Sequence, residues 1–141
     1  MNAVVRMAEA RSLGIRMPPH SIDAEQAVLG GLMLAPDKIE TLADKLSEQD
    51  FYRKDHRMIW RAVVELNARG QPCDAVTMGD WFDNNGMGEM VGGSGYLIDL
   101  SNNTPSAANI AAYAQIIREK SVLRQVIDQG MLLVESAYSS E

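Results

Sequence analysis

Cysteine is nearly absent: Cys73 stands alone among 141 residues. No intrachain disulfide and no cysteine metal cluster can be built from it, and such usage fits a reducing, cytoplasmic compartment. Long apolar runs are missing too, and nothing approaches the ~18 residues of a membrane span. The opening MNAVVRMAEARSLGIRM has no continuous apolar core of secretory length. Its arginines are interrupted by Glu9 and serine is scarce, against a transit peptide, so residues 1–17 read as a flexible tail. Positive charge is in deficit, 13 Lys+Arg against 19 Asp+Glu, for a net charge of −6. That balance argues against a dedicated nucleic-acid binder, which carries a basic face, and leaves room only for a local patch. Two-residue alternation of β-branched residues is also absent, which excludes a sheet as the organising element.

Catalytic constellations are missing as well. The glycine-rich stretch Gly86–Gly95 contains no lysine, so it cannot be a Walker loop. No strand precedes it, which removes the dinucleotide fingerprint. His20, Ser21 and Asp23 have the residue types of a hydrolytic triad but are adjacent in sequence, and helix capping accounts for Ser21 and Asp23. His20 and His56 have no metal-ligand spacing. No cofactor is expected on this chain.

What remains is helical periodicity. Pro18-Pro19 closes the tail, and Ser21 caps a helix with Asp23 and Glu25 in its first turn. Ala24, Ala27, Val28, Gly31 and Leu32 fall on one face. Gly30-Gly31 costs about 1 kcal/mol per glycine in a helix interior, so the pair predicts close approach of another helix. Pro36-Asp37 opens a second helix with Ile39, Leu42, Ala43 and Leu46 on one face. A third is predicted from about Asp55 to Asn67, ended by Arg69-Gly70-Gln71-Pro72. Asp74 caps a fourth, with Ala75, Met78 and Phe82 inward. Gly86–Gly95 reads as a loop, followed by a short helix over Tyr96–Leu100. The longest pattern runs from about Ala107 to Tyr138, close to 30 residues or about 45 Å. The fold class is all-α: a small helical bundle over residues 18–106, then a long association helix over 107–141.

That last helix is the most informative element. Stepped at 100° per residue from Leu123, Val122, Val126, Leu133 and Ala137 lie to one side of it and Ile127, Met131, Val134 and Tyr138 to the other. The apolar arc covers about 180°, where a helix packed on a single core needs about 100°. Arg124, Asp128 and Glu135 gather opposite. Such a surface predicts pairing with another helix. Arg53, Arg57 and Arg61, four apart, form a local basic ridge that could meet a phosphate backbone, although Asp55 and Glu65 interrupt it. Trp60 and Trp81 read as packing residues; Tyr96, after a glycine loop, reads as exposed.

The segment Pro18-Pro19-His20-Ser21-Ile22-Asp23-Ala24-Glu25-Gln26-Ala27-Val28-Leu29-Gly30-Gly31-Leu32-Met33-Leu34 resembles the opening of the amino-terminal domain of DnaB-type replicative DNA helicases. The likeness continues through Asp50-Phe51-Tyr52, the His56 helix, Gly92-Gly93 and Tyr96-Leu97, Asn103–Ile110 and Tyr113–Lys120, over about residues 17–138. The resemblance implies a helical head followed by a helical hairpin. Hairpins would pair subunits into dimers, and three dimers would form the collar of a hexameric ring. It implies a RecA-like motor, holding ATP and Mg and hydrolysing ATP to unwind duplex DNA, which this chain lacks together with the second hairpin helix. The chain is therefore expected to be a piece of a longer protein, without a catalytic site of its own. The family's collar docks the primase carboxy-terminal domain and in some systems a helicase loader. Its primase-facing positions match Asp23, where Glu is usual, and Tyr96. An alternative from a different class is a free-standing helical adaptor or inhibitor that joins a host helicase ring.

Overall fold

The structure, a computed structural model, describes residues 16–104 and 106–140; most of the 1–17 tail therefore lies outside the described residues. Among the described residues six helices follow in order: α1 (Ile22–Leu34), α2 (Ile39–Leu42), α3 (Lys54–Ala68), α4 (Ala75–Asn84), α5 (Gly93–Asn102) and α6 (Ile110–Ser139). Three single 3₁₀ turns, Pro36–Lys38, Glu48–Asp50 and Glu89–Val91, link them. There is no strand among the described residues. No helix there is long and apolar enough to cross a membrane.

Caps set the helix starts. Ser21 is extended (φ −142°), and its hydroxyl accepts from the Ala24 N–H at 3.2 Å. Asp74 accepts from the Thr77 N–H at 2.8 Å and opens α4. Three boundaries differ from the periodicity, the long helix starting at Ile110 rather than Ala107. The second helix closes at Leu42 after a 3₁₀ entry, and Leu46 reaches the core from a turn rather than a helix. The predicted loop holds a 3₁₀ turn, and α5 starts at Gly93 rather than Tyr96. Gly92 at φ +74° and Gly93 at φ +72° sit in the left-handed region that glycine enters freely. The glycines thus reverse the chain tightly and leave the next residues helical.

α1 is the central element, packed against α6, α5 and α3. It is apolar nearly all round, as a helix enclosed by neighbours must be, with Val28, Leu29 and Leu32 fully buried. Phe51, Ile59, Val63, Met78, Phe82 and Leu97 close the core around it. Each large side chain withdrawn from water contributes about 1.5–3 kcal/mol. Trp60 and Trp81 are buried packing residues. The glycine pair does what its cost implies: a Cβ on Gly30 would lie 2.6 Å from the Leu100 carbonyl of α5.

α6 divides by burial. Ile110, Ala114, Ile117 and Ser121 form one buried face against the head. From Val122 to Ser140 every residue is exposed except the half-buried Arg124. The first three turns belong to the head's core, and the rest projects from it.

Candidate docking groove and association helix

Sequence alone cannot say whether Asp23 and Tyr96, 73 positions apart, are neighbours. They line one groove of about 340 Å³ between α1, α5 and the start of α6, with Gln26, Asp99, Asn109 and Tyr113. Asp23 is exposed in the first turn of α1. No lysine or arginine lines the groove. Its lining carries the two carboxylates of Asp23 and Asp99.

Tyr96 departs from the exposed position expected of it. It is half-buried, because α5 begins one turn earlier and turns the ring inward. Its hydroxyl lies 2.6 Å from His56 Nε2 and accepts from the Gln26 amide at 3.2 Å. Burial pushes the phenol's pKa up. His56 Nδ1 faces Glu25 Oε1 at 2.7 Å, and Glu25 Oε2 accepts the Tyr52 N–H at 2.8 Å. Glu25 and His56 are 1% and 0% exposed. A buried carboxylate is tolerated only when paired and hydrogen-bonded, and both conditions hold. The sequence reading missed this pair. The available signal was a charge on an apolar face: Glu25 shares α1's inner side with Val28 and Leu29, and His56 shares α3's with Ile59 and Trp60.

The three arginines of the predicted ridge are occupied within the chain. Arg53 pairs with Asp55, whose hydrogen-bonded carboxylate raises the guanidinium's pKa further. Arg57 Nε donates to the Phe51 carbonyl at 2.8 Å, and Arg61 pairs with Glu48. The cations are there at the predicted spacing, each with an internal acceptor. Arg53 also lies over the Tyr96 ring, 5.1 Å from its centroid.

A second polar cluster fixes α6 on the head. Asp50, 3% exposed, accepts from Ser121 Oγ at 2.7 Å and from Arg118 at 2.9 Å. Its other oxygen accepts the Ser47 N–H at 2.9 Å. Arg124, on the side opposite the apolar arc as its position on the helix predicts, turns back to the head. It donates to the carbonyls of Pro19 and Asp50 at 2.7 and 2.6 Å and lies over the Tyr52 ring. Beyond this clamp the predicted apolar surface is uncovered: Leu123 48%, Val126 62% and Tyr138 83% exposed, with Ile127, Met131 and Val134 between them in the same state. Among the described residues there is no cluster of side chains able to hold a metal ion.

Comparison with known proteins agrees with this helical fold. A family model described as the DnaB-like helicase N-terminal domain matches residues 17–119. The chain is 40% identical over 135 residues to the replicative DNA helicase DnaB of Haemophilus influenzae, covering 96% of this chain and 29% of that protein. It is 42% identical over 129 residues to the replicative DNA helicase DnaC of Bacillus subtilis, covering 92% and 28%. The chain thus spans less than a third of these relatives. The crystal structure of the N-terminal domain of DnaB helicase from Mycobacterium tuberculosis superposes with a TM-score of 0.84 at 38% identity, covering 89% of this chain and 87% of that one. The N-terminal domain of DnaB helicase from Helicobacter pylori, described together with its interactions with primase, shares the fold (TM-score 0.70, 21% identity, 98% and 99% covered). From sequence segment to helix order to superposition, the chain belongs to the DnaB-like helicase N-terminal domain family.

Proposed function

We propose that this chain is the collar and partner-docking domain of a hexameric, ATP-dependent replicative DNA helicase that unwinds duplex DNA at the fork in the cytoplasm. ATP and Mg would act in a motor domain outside this chain, and most contact with DNA would be made there. The domain would contribute self-association through α6 and docking of the primase carboxy-terminal domain, or a helicase loader, at the groove holding Asp23 and Tyr96.

The supporting observation is the bare half-cylinder beyond Ser121. Leu123, Val126, Ile127, Met131, Val134 and Tyr138 expose a continuous apolar face on a helix anchored at one end only. Soluble monomers rarely leave such a face uncovered, and a second copy would bury it. Sedimentation velocity tests the pairing. The chain should associate with rising concentration, and Val126→Glu with Val134→Glu should return it to a monomer. A strict monomer at high concentration would count against the proposal. Calorimetry with the primase carboxy-terminal domain tests the docking half: Tyr96→Ala and Asp23→Ala should each weaken binding.

A further inference from the structure

Glu25 and His56 stand behind the docking groove, and neither lines it. We infer that they are positioning residues for Tyr96, holding its ring in the groove wall with its hydroxyl turned inward, so that a docking partner meets the ring and not the hydroxyl. This rests on the docking role proposed above.

The hydrogen bookkeeping leads there. The Glu25 carboxylate can only accept, so the nitrogen facing it at 2.7 Å, Nδ1 of His56, carries a hydrogen. In the neutral ring Nε2 is then bare and accepts. The group 2.6 Å from it is the Tyr96 hydroxyl, which donates its one hydrogen there. The Gln26 amide donates to the same oxygen from α1. With its hydrogen given to α3 and a lone pair used by α1, the phenol is committed to the protein. Arg53 lies over the ring as well. Glu25 is on α1, His56 on α3 and Tyr96 on α5, so the relay joins three helices at one point. Two of them, α1 and α5, form the groove's sides. An apolar trio of similar volume would hold a core at least as well. What the polar trio adds is one defined ring position.

Two measurements test this. The first needs no variant: nitrogen NMR of the wild-type chain labelled at histidine. His56 should show the Nδ1–H tautomer with an accepting Nε2, and its signals should stay in place when the primase domain is added. An Nε2–H tautomer, or a shift showing that the partner has drawn the hydroxyl away, overturns the inference. The second is a double-mutant cycle on primase affinity. Glu25→Gln disturbs the relay and should weaken binding roughly fivefold, the scale of one hydrogen bond. In a Tyr96→Phe background, where the relay is already cut, the same change should have almost no effect. Equal losses in both backgrounds, or no loss in either, would sink it. If Tyr96→Ala and Asp23→Ala leave primase affinity untouched, the docking role fails instead, a result the tautomer measurement does not share.

Discussion

Gly30→Ala places one methyl group where α1 and α5 touch. A Cβ there would lie 2.0 Å from Thr104 Oγ1 and 2.6 Å from the Leu100 carbonyl oxygen. The threonine hydroxyl can rotate away, at the cost of its 2.9 Å bond to that carbonyl, about 1 kcal/mol, but the Thr104 Cβ stays 2.9 Å from the new methyl. The carbonyl itself is helix backbone and moves only if α5 moves. Overpacking of this kind costs about 1–3 kcal/mol, while removing a helical glycine returns about 1. The net expectation is a destabilisation of about 2 kcal/mol. Gly31→Ala meets the flexible end of Ile110 at 3.1 Å and Ala107 at an ordinary contact distance of 3.6 Å, and should be close to neutral. Gly130→Ala, in the open reach of α6 with nothing within 4 Å, should stabilise by about 1 kcal/mol. Urea unfolding followed by circular dichroism reads all three. Stability should rank Gly130→Ala above wild type and Gly30→Ala well below it. A Gly30→Ala variant as stable as wild type would refute the close-approach account.

Other expectations follow from the polar sites. Asp50→Ala removes the acceptor of Ser121, Arg118 and the Ser47 amide, and denaturant unfolding should show a loss of about 2–3 kcal/mol. Asp74→Ala should cost about 1 kcal/mol as a lost N-cap. The Thr77 amide bond holds the Asp74 pKa below its ordinary value, so this cap contributes fully above the usual aspartate range and is lost as pH falls through the depressed folded value; the variant should show a flatter acid limb in a pH series of melting temperatures. Burial raises the Cys73 pKa, so its alkylation should be slow in the folded protein and speed up sharply in denaturant. Because the unfolded thiol ionises first, the same group should lower stability as pH rises through the ordinary thiol range.

How much of this was legible depends on sequence distance. Ser21 and Asp74 cap helices within three residues of themselves, so their helix starts could be read directly. The apolar arc on α6 was legible because helical geometry alone sets which residues share a face. Gly30-Gly31 told of a close neighbour without saying which one. The polar cluster behind the groove was not legible. Glu25, His56 and Tyr96 meet across separations of 31 and 40 residues, and no local pattern encodes that pairing. The orientation of Tyr96 was misjudged because a run of glycines reads as a loop, whereas Gly92 and Gly93 turn the chain so sharply that a helix starts at once. The contacts of Arg124 show the same limit: a helical wheel gives its face but not that Pro19 and Asp50 offer carbonyls on that side.

The clamp around Asp50 has a mechanical corollary. α6 is gripped only as far as Arg124, and about 22 Å of helix extends beyond. On a rod of that length a tilt of about 5° at the grip swings the tip by roughly 2 Å. That sweep, less than half the helical pitch of about 5.4 Å, carries the whole exposed apolar face sideways as one body. A handful of oxygen and nitrogen atoms at the root of the lever therefore governs how accurately its far end can be aimed.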